Sequence, residues 1–196
     1  RVLDVGAGIG TLTAHLIESG YAVTAIDGEP QFRTLAKELH GVDILEQDIY
    51  ETSFPDSSFD CVILREVACQ FDFVRAMKEV TRLTKDQVIV FQSNEQGSEY
   101  YTRILVEHGF KIEKLQYSDP LALPLSGGLV GYQLIPRSGL LYSLTMKCDE
   151  LLTMFLGAIG LLPFVAARIL VSGRKPLMVD EEEECEPSGT LSLELG

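Results

Sequence analysis

The sequence predicts an α/β protein with a doubly wound, mostly parallel β-sheet and helices on both of its faces. Over residues 1–118, short apolar runs alternate with segments of helical periodicity, which is the pattern of strands joined by crossover helices. The chain has 196 residues, 46% of them hydrophobic and 23% charged, so it can bury the core of one domain. This composition excludes a mostly disordered or fibrous protein.

Strands are predicted where apolar residues run together between turn residues, and helices where they recur every three or four positions. In chain order the predicted strands are residues 2–5, 21–26, 42–45, 59–64, 88–91 and 111–117, with a closing strand at 169–172. The predicted helices are residues 11–19, 30–40, 73–83 and 98–108. Gly20 ends the first helix and Pro30 begins the second.

Two of the predicted helices have a recognisable apolar face. In the first helix, Leu12, His15 and Leu16 share one face. In the third helix, the residues at core spacing are Val74, Met77, Val80 and Thr81. We expect both faces to pack against the sheet.

Residues 120–167 interrupt the α/β pattern and form a predicted insertion before the last strand. Residues 151–167 are 17 residues without a charge, at the short limit of roughly 17–25 residues for a membrane-spanning helix. Pro163 and two glycines interrupt this run, which disfavours a span. Two interpretations stay open: a helical hairpin folded over the sheet, or a cover over the substrate that contacts a membrane surface through residues 137–167.

The formal net charge is −13, and seven of the acidic residues lie after Met178 with no basic residue among them. This predicts one domain over residues 1–177 and an acidic, disordered tail over residues 178–196. The remaining body is mildly acidic, and such a surface repels phosphate backbones. Nucleic acid is therefore not expected as a partner, whereas small molecules and proteins are.

Cysteine and histidine usage argues against a metal site or a disulfide framework. The four cysteines and three histidines have no metal-ligand spacing, which favours a reducing, cytoplasmic setting. No signal peptide is recognisable, because the chain begins at Arg1 directly before a predicted strand. We therefore expect the natural protein to have residues before Arg1.

A glycine-rich turn, Gly6-Ala7-Gly8-Ile9-Gly10, joins the first strand to the first helix. A dinucleotide-binding fingerprint would have its third glycine at position 11, where this chain has Thr11. The turn alone is a weak signal, because a tight strand-to-helix connection needs no ligand.

Three carboxylates strengthen the prediction of a ligand site. Asp4, Asp27 and Asp48 each lie at or after the carboxyl end of a predicted strand, and these ends meet at one edge of a parallel sheet. Asp27 lies 17 positions after Gly10, near the distance at which an acidic side chain binds a ribose diol. Three carboxylates arranged in this way suit a positively charged nucleoside as ligand. Each carboxylate could also have a purely structural role instead of binding a ligand. Asp27 could cap a helix, Asp48 could stabilise a turn, and Asp4 could form a hydrogen bond to the glycine turn.

Together these motifs resemble class I S-adenosylmethionine-dependent methyltransferases of the methyltransferase-11-like kind. The first motif is residues 2–10, the second-strand acidic motif is residues 25–30, and the entry to the fourth strand is residues 54–62. Residues 46–49 resemble the adenine-side loop and residues 78–85 the helix that follows. The resemblance covers residues 1–118 and the closing strand at 168–176.

The resemblance implies a Rossmann-like sheet of order 3-2-1-4-5-7-6, with an antiparallel last strand, and S-adenosylmethionine as cofactor. The cofactor-binding positions that it implies are Asp4, Gly6, Ala7, Gly8, Gly10, Asp27, Gly28, Asp48, Ile49 and Arg65. No metal is implied.

By position, the resemblance also implies a role for individual residues. Asp4 would hold the turn and the methionine ammonium, and Asp27 would accept bonds from both ribose hydroxyls. Asp48 would accept a hydrogen bond from the adenine amino group, and Ile49 would pack against the adenine ring. Arg65 would offer a backbone or polar contact.

The implied reaction is in-line transfer of the sulfonium methyl group to a small acceptor. The apolar insertion suggests that this acceptor is apolar. Candidate bases by position are Glu66, Glu95, Tyr100 and Tyr101, none of them in a diagnostic motif, so no catalytic residue is assigned.

The chain departs from its relatives at two points, where Asp86-Gln87 replaces a glycine pair and Gln70 replaces a histidine. These departures affect the prediction of substrate class more than that of fold. Two alternatives therefore stay open: a cofactor-binding or scaffolding protein without catalysis, and a nicotinamide oxidoreductase, which Thr11 disfavours.

Overall fold

The structure is a computed structural model that describes residues 1–66, 72–118, 139–166 and 168–176. The predicted acidic tail, the first part of the predicted insertion (residues 120–138) and Gln70 lie outside the described residues.

Six strands form one sheet in the order β2-β1-β3-β4-β6-β5. Their bounds are β1 Val2–Val5, β2 Val23–Ile26, β3 Phe59–Arg65, β4 Thr84–Ser93, β5 Lys111–Ser118 and β6 Arg168–Arg174. The first four strands of the sheet are parallel, and β6 runs antiparallel to both of its neighbours, β4 and β5. The Rossmann-like arrangement with an antiparallel last strand is therefore confirmed.

The predicted third strand, residues 42–45, is reduced to a single parallel bridge between Leu45 and Ile26. Leu45 donates to the Ala25 carbonyl at 2.9 Å and accepts from the Asp27 N–H at 3.1 Å. The pairing with β2 does not extend to the residues before Leu45. At Val42 the backbone N–H is still bonded to the Ala36 carbonyl of the preceding helix. The sheet consequently has six strands where seven were predicted.

Six helices are described: α1 Thr11–Glu18, α2 Pro30–His40, α3 Phe73–Leu83, α4 Ser98–Glu107, α5 Gly139–Ala158 and α6 Leu162–Val165. The first four match the predicted helices within two residues at each end, and the last two lie in the predicted insertion. Within the part of the chain that the structure describes, no helix is long and apolar enough to cross a membrane.

The core lies between the sheet and α3, which buries Phe73, Ala76, Met77, Val80 and Leu83. The predicted apolar face of this helix was wrong in part, since Val74 is 45% exposed. Phe73, the first residue of the helix, is buried in its place, so the contact face is rotated relative to the expected one.

The segment Asp86-Gln87, where relatives have a glycine turn, is part of β4. The strand begins at Thr84, directly after α3, and the Thr84 hydroxyl donates to the Val80 carbonyl at 2.6 Å. Gln87 then donates to the Ser172 hydroxyl on β6 at 2.9 Å. A continuous strand therefore stands where relatives have a glycine turn.

A buried ionic network fixes α3 to the loop before β3. Glu79 accepts from both the N–H and the hydroxyl of Thr52, at 2.9 and 2.7 Å, and from Arg82 at 2.6 Å. The hydrogen bond from Arg82, together with those from Thr52, lowers the pKa of Glu79 to about 2. The ionised carboxylate therefore stabilises the folded state.

Glu79→Gln keeps the shape of the side chain and removes its charge. We expect it to lower the free energy of unfolding at pH 7 by about 1.5–3 kcal/mol, the usual contribution of hydrogen bonds to a charged group. The native pKa lies below the ordinary value of 4.5, so this stabilisation is present above about pH 4.5 and is lost as the pH falls towards 2.

Urea unfolding of both proteins at pH 7 and pH 3 measures this difference. The gap between wild type and Glu79→Gln should narrow at pH 3. Glu107→Gln, in an exposed 3.9 Å pair with Arg103, is the control and should have little effect at either pH. If the difference in the free energy of unfolding between wild type and Glu79→Gln were the same at pH 7 and pH 3, the stabilising role of the ionised Glu79 carboxylate would be contradicted.

Candidate functional site

The glycine turn is bonded to the carboxyl end of β2. Its three glycines have positive φ angles, 68° at Gly6, 56° at Gly8 and 78° at Gly10, a region that side-chain-bearing residues rarely adopt. The N–H groups of Gly6 and Ala7 donate to the Ile26 carbonyl, at 2.9 and 3.1 Å. The turn can therefore pass close to a ligand without any Cβ in the way at its glycines.

Gly10 has a different position from the other two glycines. It precedes α1, and a Cβ built on it would lie 3.0 Å from the Cβ of Ala36 on α2. It lines neither of the two cavities described below. In the structure Gly10 therefore packs closely against helix α2.

Two neighbouring cavities lie at the carboxyl ends of β1, β2 and β3, with volumes of about 280 and 350 Å³. Gly6 and Asp27 line both of them. The first is lined by Asp4, Gly6, Ala7, Gly8, Ile9, Thr11, Leu12, Asp27, Phe32, Arg65 and Glu66. The second is lined by Val5, Gly6, Ile26, Asp27, Gly28, Glu29, Glu46, Gln47, Asp48, Ile49 and Tyr50. Nine of the ten sequence-predicted residues thus meet at one place.

Asp27 stands between the two cavities and is only 9% exposed. Its Oδ1 accepts from the N–H of Glu29 and its Oδ2 from the N–H of Gly8, both at 2.8 Å. A carboxylate oxygen has a second lone pair, so both oxygens can still accept bonds from a ligand. The N-cap position of α2 is Glu29, so Asp27 joins the glycine turn to the β2–α2 connection and does not occupy the cap position.

Asp4 is buried below the first cavity, with 1% of its surface exposed. The Thr13 hydroxyl donates to its Oδ2 at 2.6 Å. Burial raises the pKa of Asp4; the bond from Thr13 and the charge of Arg65 oppose this rise, and the charge of Asp27 adds to it. The bond of Asp4 is thus to helix α1 and not to the glycine turn of the structural alternative, and the same residue also lines the first cavity.

Asp48 lies in the turn that follows the bridge at Leu45. Its Oδ1 accepts from the Tyr50 N–H at 2.9 Å, which is the turn geometry that was the alternative for this residue. Asp48 is exposed and lines the same cavity as Asp27, so the two carboxylates open onto one side of the molecule. Ile49 beside it is buried.

The carboxyl end of β3 forms the far wall of the first cavity. Arg65 is exposed there, and Glu66 has a φ of 57°, unusual for a residue other than glycine. The Glu66 N–H donates to the Phe91 carbonyl at 2.9 Å, and its carboxylate pairs with Arg168 at 3.0 Å. Among the four candidate bases, Glu66 lines the first cavity, whereas Tyr101 is buried in the core and neither Glu95 nor Tyr100 lines either cavity.

Arg33 is a functional candidate that the sequence analysis missed. Its guanidinium donates to the carbonyls of Asp27 and Gly28, at 3.0 and 3.1 Å, and to Glu46 at 2.7 Å. It therefore braces the wall of the second cavity. No motif marks this residue, although its place in the first turn of the helix after Asp27 is a usable signal.

Phe32 and Tyr50 were also missed, and each adds an aromatic ring to a cavity wall. Phe32 lines the first cavity and Tyr50 the second. Both lie within five residues of a predicted carboxylate, so a search of the strand ends for aromatic residues would have found them.

Comparison with known proteins agrees with this geometry. Residues 3–91 match the family model of a methyltransferase domain. An uncharacterized methyltransferase of Mycobacterium tuberculosis (strain H37Rv) is 36% identical over 86 residues, which are 43% of this chain and 35% of that protein. The aligned segment thus spans about a third of the length of this curated relative.

Solved structures share the fold over most of the described chain. A SAM-dependent methyltransferase from Archaeoglobus fulgidus has a TM-score of 0.63 at 14% identity, with 89% of this chain and 86% of that one covered. The [4+2]-cyclase SpnF has a TM-score of 0.60 at 17% identity, with 90% of this chain and 75% of that one covered. Residues 3–91 are therefore similar to a methyltransferase domain, and the chain shares the fold of a SAM-dependent methyltransferase.

Proposed function

We propose that the chain binds S-adenosylmethionine across the two cavities and transfers its methyl group to a small apolar acceptor. The observation that carries this proposal is that the two cavities share Asp27, with Asp4 on one side and Asp48 on the other. An elongated ligand with a central diol and a positive charge suits this arrangement. The two volumes together fall within the roughly 300–1,000 Å³ of small-molecule sites.

The second cavity would hold the adenosine half. Asp27 has free lone pairs for the two ribose hydroxyls, and Asp48 lies where the adenine amino group can donate. Ile49 and Tyr50 offer apolar surface to the ring, and Gly28 leaves room beside it. Each of these contacts uses a group that lines the cavity.

The first cavity would hold the methionine half, which carries both an ammonium and a carboxylate. Asp4 is a buried acceptor for the ammonium, and the exposed guanidinium of Arg65 is a donor for the carboxylate. At Gly6 and Gly8 the main chain can approach the methionine half closely, because these residues have no side chains. The acidic lining also favours the positive sulfonium.

The protein's part in the chemistry would be alignment. The sulfonium methyl is already a strong electrophile, so the reaction needs the acceptor held in line behind it in a dry pocket. Positioning of this kind supplies up to about 7–11 kcal/mol of a barrier. Of the four candidate bases, Glu66 is the one that lines the first cavity, and its pair with Arg168 fixes its position for an acceptor that must lose a proton.

The insertion supports an apolar acceptor. We place the catalytic domain at residues 1–177, with residues 120–167 as a cover on the acceptor side. Asn94, at the carboxyl end of β4, donates to the carbonyls of Pro163 and Ala166, both at 3.0 Å. The end of the insertion is thus attached to the edge of the sheet that carries the cavities.

A second function is kept because the fold is shared with a protein named as a cyclase. In this alternative the chain binds the cofactor and does not transfer its methyl group. The two functions predict the same binding and differ only in turnover.

Calorimetry with S-adenosylhomocysteine and with NAD tests the ligand class. We expect S-adenosylhomocysteine to bind and NAD not to bind, because the site offers carboxylates where a pyrophosphate would lie. Labelled S-adenosylmethionine with a panel of apolar acceptors then tests turnover. Tight binding without transfer to any acceptor would favour the second function, and tight NAD binding would contradict both.

Asp27→Ala tests the central carboxylate. We expect it to weaken S-adenosylhomocysteine binding by about 1.5–3 kcal/mol, or roughly 10- to 100-fold in Kd, because an ionised acceptor for two hydroxyls is lost. Asp43→Ala is the matched control, since Asp43 is an exposed carboxylate bonded to Lys37 outside both cavities. An unchanged Kd for Asp27→Ala would exclude the ribose role.

Asp4→Asn separates binding from stability. Because burial raises the pKa of Asp4 above its ordinary value of 3.8, the wild type loses stability as the pH rises through the native pKa. The amide oxygen of asparagine can still accept from Thr13 but never ionises. The free energy of unfolding of Asp4→Asn, relative to wild type, should therefore increase between pH 3 and pH 7.

The same variant should bind S-adenosylhomocysteine at least about tenfold more weakly, since the charged acceptor for the ammonium is gone. Denaturant unfolding across the pH range and calorimetry at pH 7 measure the two effects. Unchanged affinity together with the expected stability trend would assign Asp4 to the support of the turn alone.

A further inference from the structure

Arg75 is an unusual residue for the first turn of helix α3. Asp72 is the N-cap residue of this helix, and its Oδ1 accepts from the Arg75 N–H at 3.0 Å. Arg75 is thus the third residue of the helix, where a capping box has glutamate or glutamine. The N-terminus of a helix carries a partial positive charge, which disfavours a cation in the first turn. Helix stability therefore does not explain an arginine at this position.

The guanidinium of Arg75 contacts an aromatic ring. Its Cζ lies 4.0 Å from the centroid of the Tyr50 ring, inside the limit of about 6 Å for a cation–π contact. Within the described residues, no carboxylate is at ion-pair distance from this guanidinium, whereas those of Arg33, Arg82 and Arg168 each pair with one. The observed partner of the Arg75 charge is therefore the Tyr50 ring.

Tyr50 joins helix α3 to the second cavity. It is half-buried and lines that cavity. Its hydroxyl accepts from the Asp72 N–H at 2.7 Å, and its own N–H donates to the Oδ1 of Asp48 at 2.9 Å. The start of α3 therefore holds the Tyr50 side chain both by its hydroxyl and by one face of its ring.

The two contacts from α3 restrict different motions of the ring. The hydroxyl lies on the long axis of the side chain, so its hydrogen bond leaves the ring free to rotate about that axis. A cation over one face opposes this rotation. One such contact at an exposed site favours the held orientation by about two- to fivefold. A ligand that needs this orientation binds more tightly by the same factor, because less ordering remains to be done on binding.

We infer that Arg75 is a positioning residue for ligand recognition in the second cavity. It holds the Tyr50 ring in the orientation that a planar base contacts. Arg75 lines neither cavity, so it acts through Tyr50. That the base is the adenine of S-adenosylmethionine rests on the proposed function; the support of the ring by Arg75 does not.

The Kd values of adenosine and of S-adenosylhomocysteine, measured by ligand-observed NMR, test the inference. Arg75→Met keeps an apolar stem and removes the guanidinium. We expect it to weaken the binding of both ligands by the same factor, about two- to fivefold, since both carry the same base. Arg75→Lys keeps a cation and should lose less affinity. Arg103→Met is the matched control, because Arg103 is an exposed arginine on α4 in a 3.9 Å pair with Glu107.

Two further backgrounds separate positioning from a merely structural role. Tyr50→Phe keeps the ring, so Arg75→Met should still weaken binding in this background. Tyr50→Leu removes the ring, so Arg75→Met should have no further effect there. The free energy of unfolding should hardly change in Arg75→Met, because the lost ring contact and the removal of a cation from the first turn oppose each other. A structural role would lower stability and would affect binding equally in both backgrounds.

The outcomes distinguish this inference from the proposed function. Binding of S-adenosylhomocysteine that Arg75→Met leaves unchanged, or weakens equally in Tyr50→Leu, overturns the inference alone. An equal loss in Arg103→Met also overturns it. Binding of adenosine but not of S-adenosylhomocysteine, with the expected pattern among the variants, supports the inference and contradicts the proposed function. Binding of neither ligand overturns both. Should Tyr50→Leu fail to fold, the retained effect in Tyr50→Phe and the rescue by Arg75→Lys decide, and the absence of either one overturns the inference.

Discussion

The site depends on the hydrogen bond between the Gly8 N–H and the carboxylate of Asp27. It joins two connections that are far apart in sequence, the glycine turn after β1 and the turn after β2. The same carboxylate also accepts from the Glu29 N–H, so Asp27 fixes the backbone on both of its sides. The position of the wall between the two cavities follows from this one side chain. A residue that organises the site can also accept bonds from a ligand, because its oxygens keep unused lone pairs.

Asp4 and Asp48 show how environment separates residues of the same type. Asp4 is buried, so its charge is costly to the folded state, and the bond from Thr13 offsets only part of that cost. Asp48 is exposed, and its bond to the Tyr50 N–H shapes a turn at no such cost. The buried charge of Asp4 therefore costs stability at the base of the first cavity, and under the proposed function it would be the acceptor for a positively charged ligand.

Much of the fold and most of the site could be predicted from the sequence, because strand ends in a parallel sheet converge and carboxylates there are easy to recognise. Nine of the ten predicted site residues line the two cavities, whereas Gly10 packs against Ala36. The errors arise where tertiary contacts decide. On α1, Thr13 is buried and His15 exposed, because Thr13 pairs with Asp4 across the turn. Arg33 was missed because backbone carbonyls, which no motif records, are two of its partners.

Two different contacts hold the walls of the site. Beside the second cavity, Arg33 links the carbonyls of Asp27 and Gly28 to Glu46. On the far side of the first cavity, the ion pair between Glu66 and Arg168 joins the end of β3 to the strand that follows the insertion. Under the proposed function, the acceptor and the spent cofactor would both pass the first cavity, so this one ion pair would stand beside the route of both.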